Sequence, residues 1–580
     1  MHSVRAFLSP DNPLGFGLSD FVELLAASLL AAFFLLRAAW RKPFEKLAAK
    51  TGWCMLVLAA LPVLLRLALL PHNAEPVPAG ADDFGYLLLA DTLRHFRLAN
   101  PPHALPQFFE QIFVLQQPTR SAMFPLGQGL VLAFGWMLFG HPWAGVLLSM
   151  GALSALCYWM LCAWTSPNWA LAGGLLTAFQ FGPLCYWMNC YWGGAVSACA
   201  GCLVFGALPR IFDRDQETVG KRRRNAALLG LGLGLQLLTR PYEFFLLLGG
   251  VGLFLGMEWG KRREWRRQVF ALIPVTALVA GSAGVLMLLQ NKQVTGKWST
   301  LPVQLYRYRY GIPATFTWQA NAVPHGALNS EQDLDYRTEV AVHGPDLDTP
   351  RAYWERLVFR ARFYRFFLLA PLYLALLAFL TLLRQRRLIW ALATIVLFSL
   401  GSNFFPYFYP HYIAAVTCLF VLASVAGLQR LNQLRIGGGW PQVGTLLLFF
   451  CALHFVFWYG VHALGTAKVS YALARYETWD YINQGDPQGR VAVDRRLEHA
   501  GGEHLVFVRY APQHRFQEWI KNGADIDGAP VVWAHDLGAT ENEKLRRYYP
   551  KRMAWLLQPD AAPPKLTPYL VEPKLFEDVQ

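Results

Sequence analysis

Apolar runs of bilayer-crossing length alternate with short polar turns over most of the chain. A spanning helix needs about 17–25 predominantly apolar residues. Such stretches fall near 18–38, 52–70, 143–163, 168–184, 191–212 and 225–239, and again near 244–258, 269–290, 366–383, 388–402, 411–428 and 442–464. The pattern predicts a polytopic α-helical membrane protein of about twelve transmembrane helices. A thirteenth apolar piece, 126–140, reads as a juxtamembrane helix lying in the interface, because a span there would put the basic loop at 213–224 on the opposite side from the other basic loops. After residue 464 the pattern changes. The strand-like runs His504-Leu-Val-Phe-Val508 and Pro530-Val-Val-Trp-Ala534 and a charged helical stretch at 541–548 predict a small α/β unit. The expected organisation is a membrane domain, 1–464, with large outer loops at 71–142 and 291–365, and a C-terminal extracytoplasmic domain, 465–580.

Composition agrees. Of 580 residues, 54% are hydrophobic and 16% charged, against about 25% charged in soluble domains, and this excludes an ordinary soluble enzyme and a disordered chain alike. The net charge of +14 sits almost wholly in alternate loops: Arg37 to Lys50, Arg214 to Arg224, Lys261 to Arg267, Arg384 to Arg387, and Arg430 with Arg435. The basic balance is thus a topology signal that places those loops in the cytoplasm and the large loops and tail outside, as in a multi-pass inner (plasma) membrane protein. Nucleic acid is not an expected partner, since the charges cap helices instead of gathering on one folded face. The nine cysteines lie in or beside apolar stretches, so no disulfide framework is read from them, and Cys199 and Cys202 are expected to be packing residues. No cleavable signal peptide is predicted, because no basic segment precedes the first apolar run.

The chemistry gathers on the outer side. Asp82-Asp83 follows the second span and opens a helical stretch. Two adjacent carboxylates there suit a general base or a cation site, while Asp at a helix start also serves as an ordinary N-cap. The same loop carries His103, Glu110, Gln117 and Arg120, and the turn at 185–194 carries Asn189, Tyr191 and Trp192. Interfacial Trp and Tyr also form plain anchoring belts. Thr239-Arg240-Pro241-Tyr242-Glu243 sets a cation and an anion at a hairpin tip, as a functional pair or a structural one. The turn 403–412 offers an aromatic wall with His411. Tyr306-Arg307-Tyr308-Arg309-Tyr310 alternates rings with guanidinium groups, as a phosphate-binding element or an exposed strand. Arg66, near the outer end of the second span, is expected to snorkel.

The blocks Asp82-Asp-Phe-Gly-Tyr, Gln117-Pro-Thr, Tyr191-Trp-Gly-Gly and Thr239-Arg-Pro-Tyr-Glu resemble the C-type membrane glycosyltransferase superfamily (GT-C), bacterial relatives of protein mannosyltransferases and lipid A aminoarabinose transferases. The resemblance implies a GT-C-like fold with juxtamembrane helices in the first outer loop. It also implies transfer of a sugar from a polyprenyl-phosphate donor to an extracytoplasmic glycan, lipid or protein acceptor by an inverting displacement. Asp82 or Asp83 would be the base. Arg120, Arg240, Arg307 and Arg309 would take the donor phosphate, because Met123 stands where some relatives carry a Lys. Glu110, Gln117, Asn189, Tyr191, Trp192, Tyr242, Glu243 and His411 would line the substrate site. No cofactor is required, although a divalent cation at the acidic pair is compatible with it. A lipid-linked saccharide flippase and a non-catalytic envelope assembly protein are the alternatives.

Overall fold

In a computed structural model of the chain, residues 41–212, 218–258, 270–344, 347–433, 442–464, 488–514 and 517–569 are described, together with 25, 29 and 486. The first expected span, 18–38, lies almost wholly outside them. Each of the other expected spans contains a helix, as it must where apolar surroundings leave the backbone only its own groups to bond. Helix α1 (Arg41–Ala48) leads to α2 (Thr51–Ala68), and α3 (Ala81–Arg94) follows in the first large loop. Then come α4 (Leu126–Phe139), α5 (Trp143–Leu161), α6 (Pro167–Gln180), α7 (Ala195–Ile211), α8 (Val219–Thr239), α9 (Pro241–Glu258) and α10 (Ile273–Thr295). The long loop carries α11 (Pro302–Tyr310), α12 (Ser330–His343) and α13 (Pro350–Arg360); α14 (Leu372–Leu380), α15 (Arg386–Ser402), α16 (Thr417–Leu431) and α17 (Val443–Leu464) return to the bundle.

Among the described residues, six helical segments are long and apolar enough to cross a membrane: Thr51–Ala68, Trp143–Leu161, Pro241–Glu258, Ile273–Thr295, Pro410–Leu431 and Val443–Leu464. The remaining helices are shorter or more polar and pack between these. Small residues set the approach distances: a Cβ on Gly135 of α4 would stand 2.0 Å from the Gly145 nitrogen of α5, so the two backbones touch. The apolar piece at 126–140 is helical, buries Leu126, Leu132 and Ala133, and leaves Phe134, Met137 and Leu138 exposed on its other side.

The tail forms α18 (Arg490–Ala500), a four-stranded sheet and α19 (Ala539–Tyr548). A short hairpin in the first loop supplies β1 (Val114–Leu115) and β2 (Ser121–Ala122); the tail strands are β3 (His504–Val508), β4 (Val531–His535), β5 (Met553–Gln558) and β6 (Lys565–Pro568). Their order is β4-β3-β5-β6, parallel except for the last pair. Strand β3 is buried throughout because both faces are covered. Val506 and Val508 pack with Val493 and Leu497 of α18 and with Trp519, whereas Leu505 and Phe507 pack against Phe108 and Phe109 of the first outer loop. The sheet core is therefore completed by side chains some 400 positions earlier in the chain.

Two expectations are corrected. Residues 306–310 are helical, not a strand, because Pro302 starts a turn that Gly311 ends in the left-handed region. Arg66 does not snorkel. It is buried, and donates from Nε to Asn189 Oδ1 at 2.8 Å and from its terminal nitrogens to the carbonyls of Asn73 and Ala74 at 2.9 and 2.7 Å.

Candidate active site

Helix α3 begins at Gly80, and the two aspartates in its first turn point to different tasks. Asp83 Oδ2 accepts the backbone N–H groups of Ala79 and Gly80 at 3.2 and 3.3 Å, and Oδ1 accepts that of Tyr191 at 3.1 Å. This carboxylate caps the helix and ties it to the 185–194 turn. Burial raises its pKa while these three N–H groups and Arg490 lower it. Asp82, one residue earlier, accepts no hydrogen bond from any described residue. Its side chain keeps partial access although protein surrounds it. Burial, then the neighbouring Asp83 charge, push its pKa up to about 7; Arg240 pulls the other way and Glu339 adds to the rise.

Arg240 sits at the end of α8, where Pro241 starts α9. Its guanidinium lies 4.9 Å from the Tyr412 ring centroid, and Nη1 is 3.6 Å from Glu243 Oε1. That separation is an ion pair without a tight hydrogen bond, so the cation keeps capacity for a further anion. Tyr409 and Tyr412 both feel the Asp82 charge, and His411 lies between them with its ring centroid 5.1 Å from that of Trp192. Tyr186 and His411 Nδ1 are 3.1 Å apart. The structure thus brings Asp82, Arg240, Glu243, Trp192 and His411 into one aromatic-walled region.

Other expected site residues serve the scaffold instead. Arg120 is buried and donates to the carbonyls of Gly523 and Asn522 at 2.6 and 2.8 Å, so it holds the tail and is not placed for a phosphate. Asn189 is bonded to Arg66 and to the carbonyls of Pro183 and Cys185. Tyr191 is buried and donates to the Pro76 carbonyl at 3.0 Å. Tyr242 donates to the Gly401 carbonyl at 2.8 Å and packs on Phe316. Gln117 is exposed beside a cis Gln117-Pro118 bond. Glu110 accepts from Tyr310 at 2.9 Å and Gln332 at 3.2 Å, and with Arg309 nearby it joins the first and long loops. Arg307 donates to the Pro313 carbonyl at 2.9 Å and stands close to Glu339.

The sequence reading missed Asp335 and Glu339 of α12, whereas Tyr407, Tyr409 and Tyr412 belong to the aromatic wall expected at the 403–412 turn. Asp335 and Glu339 are one helical turn apart; the Glu339 charge raises the pKa of Asp82, and the Asp82 charge raises that of Asp335. A four-residue carboxylate spacing in the long loop was the available signal. Among the described residues, no group of three His, Cys, Asp or Glu side chains is arranged to hold a metal ion.

No protein-family model and no curated protein sequence matches the chain. Solved structures do. ArnT from Cupriavidus metallidurans in the apo state is similar over 88% of this chain and 93% of its own, with 12% identity and a TM-score of 0.51. The same protein bound to undecaprenyl phosphate matches over the same shares with 12% identity and a TM-score of 0.50. The apo oligosaccharyltransferase of Archaeoglobus fulgidus matches 87% of this chain and 69% of its own at 10% identity, with a TM-score of 0.42. The chain shares its fold with these ArnT structures, and its apolar helices are those of a multi-pass membrane protein.

Proposed function

We propose that the protein is an integral-membrane glycosyltransferase that moves a sugar from a polyprenyl-phosphate donor to an acceptor hydroxyl by a single inverting displacement. The observation that carries this reading is the division of labour at the acidic pair: Asp83 is consumed by three backbone N–H groups, while Asp82, unbonded among the described residues, has its pKa raised to about 7 and feels the Arg240 charge. A base works best when its pKa lies near the operating pH. Asp82 takes the acceptor proton as the oxygen attacks the anomeric carbon, and Arg240 receives the departing phosphate. Trp192, Tyr409 and Tyr412 provide faces for the sugar ring. A structure of the same fold with undecaprenyl phosphate bound supports a polyprenyl-phosphate donor.

On this reading the shorter helices of the bundle add to the six long ones toward the twelve spans expected from the sequence, and α1 lies in the first cytoplasmic loop. The acidic pair, the long loop and the tail face the extracytoplasmic side of the inner membrane. The test is mass spectrometry of polyprenyl-phosphate sugars and surface glycans from cells with the wild-type protein, a deletion, and matched-expression Asp82→Asn. Accumulation of one lipid-phosphate sugar with loss of that sugar from a glycan, in both the deletion and the variant, is the expected result. Unchanged pools in a strain that makes such donors would overturn it.

A further inference from the structure

The acidic pair stands in the first turn of α3, and the tail grips that helix at two levels. Toward its far end, the Ala524 N–H of the tail donates to Asp91 Oδ2 at 2.6 Å. At its start, Gly80 pairs with Gln517 as an isolated antiparallel bridge. Eleven residues separate Gly80 from Asp91, about 16 Å of helical rise, so the tail segment 517–524 braces most of α3. The Gln517 carbonyl is itself held 2.7 Å from His514 Nε2, and Nδ1 of that ring is 2.6 Å from Asp560 Oδ1.

Arg490, the first residue of α18, closes this brace beside the pair. It is 2% exposed, and its Nη2 donates to the Ala79 carbonyl at 3.1 Å. The Ala79 N–H in turn donates to Asp83 Oδ2 at 3.2 Å, so a single residue of backbone joins the guanidinium to the carboxylate. The guanidinium carbon lies 5.1 Å from the ring centroid of Phe84, the neighbour of Asp83, and 4.3 Å from that of Trp519 in the tail. Both distances are within the range in which a cation is attracted to an aromatic face. The base of the side chain is fixed: the Arg490 and Val491 N–H groups donate to Asp486 at 2.8 Å each, and Nε donates to Gln488 Oε1 at 2.7 Å. Nη1 is buried with no hydrogen-bond partner. A guanidinium with an unmade N–H bond is costly to bury, so packing alone does not account for a cation at this position. Nor does anchoring of the tail require it, since Arg120 and Asp91 already hold residues 522–524.

We propose that Arg490 is a positioning residue for transfer: from the tail, it fixes the start of α3 through the Ala79 carbonyl and the Phe84 ring, and so aims the Asp82 carboxylate at the acceptor hydroxyl. This deepens the transferase reading and rests on it. Asp82 has no hydrogen bond among the described residues to hold it, so its aim depends on the helix start that carries it. A misplacement of about 1 Å in a reacting group can cost about 10²-fold in rate. The tail then has a part in turnover, as the wall against which the base is set.

The test uses the full-length protein in proteoliposomes supplied with envelope extract of the deletion strain, which holds the accumulated donor and the unmodified acceptor, and reads transfer by mass spectrometry. Arg490→Met keeps the reach of the side chain and removes its bond and charge, whereas Arg490→Lys keeps a donor and a cation for the same carbonyl and rings. Arg490→Met is expected to transfer roughly tenfold more slowly, with residues 488–569 as resistant to protease as in the wild type. The amides of residues 79–84 should exchange hydrogen roughly tenfold faster, a readout that needs no donor. Arg490→Lys should recover most of both. A Met variant at the wild-type rate, a slow one with exchange at 79–84 unchanged, a loss of protease resistance in the tail, or a slow rate that Lys does not recover would overturn the proposal. Phe84→Leu reaches the same contact from the α3 side without touching the tail. The double variant should lose less than the product of the two single losses, and multiplicative losses would overturn the shared contact. An Asp82→Asn protein as active as wild type would instead overturn the transferase reading beneath it.

Discussion

Asp82 and Asp83 are adjacent in the chain, yet one carboxylate accepts three backbone N–H groups and the other accepts none among the described residues. The difference follows from the helix start. Asp83 is the third residue of α3 and folds back on Gly80, whereas Asp82 points toward Arg240, Glu339 and the tyrosines of the 403–412 turn.

The two aspartates should therefore fail differently. Asp82→Asn is expected to lower transfer by about 10²–10⁴-fold without lowering the thermal midpoint at neutral pH. Asp83→Asn replaces an acceptor oxygen with an NH₂ group that faces at least one backbone donor, the Tyr191 N–H in the better orientation. It should destabilise the protein by about 1–3 kcal/mol. Paired turnover and thermal-shift measurements check both; equal loss of stability in the two variants would contradict the assignment.

The pH profile should show an acid limb. With Asp82 at about 7, the active carboxylate is lost as pH falls below that value, so kcat/KM should fall tenfold per unit well below it. The Arg240 guanidinium lowers this pKa. Arg240→Gln should move the limb to higher pH in addition to weakening donor binding, and an unmoved limb would separate Arg240 from Asp82.

Stability carries the opposite sign. The folded state holds the Asp82 proton up to about 7, whereas the unfolded chain releases it near 3.8. Between those values the folded state binds more protons, so this group's contribution falls as pH rises through the window. Asp82→Asn removes the fall, and its thermal midpoint in detergent should exceed that of the wild type increasingly from pH 5 to pH 8. A constant difference across that range would count against the raised pKa.

The tail should loosen when its ties to the first loop are cut. Arg120 holds the carbonyls of Asn522 and Gly523, and Asp91 Oδ2 accepts the Ala524 N–H at 2.6 Å while its other oxygen is 2.5 Å from Arg94 Nε. Arg120→Ala leaves the buried Asn522 carbonyl without a donor, at about 1–3 kcal/mol, and the half-buried Gly523 carbonyl without its bond. Faster proteolysis of residues 488–569, with the membrane helices intact, is the expected outcome.

Much of the architecture was legible along the chain because backbone hydrogen bonding in apolar surroundings is local. The helices at 52–70, 143–163 and 442–464 follow from composition alone, and β3 and β4 lie where the alternating and apolar runs place them. The Asp82–Asp83 pair stood out for the same reason, since two charges beside an apolar stretch are costly to place. What the sequence could not contain is which polar group each charge meets. Arg120 and Arg240 look alike in one dimension; tertiary packing sets the first against two tail carbonyls and leaves the second beside Asp82 and Tyr412. Asp335 and Glu339 reach the site only because α12 folds across from the start of α3, and Phe108 and Phe109 complete a sheet from the far end of the chain. Element type depends on near neighbours and so was readable, whereas partner choice and the resulting proton affinities depend on contacts between residues hundreds of positions apart, which only the folded chain decides.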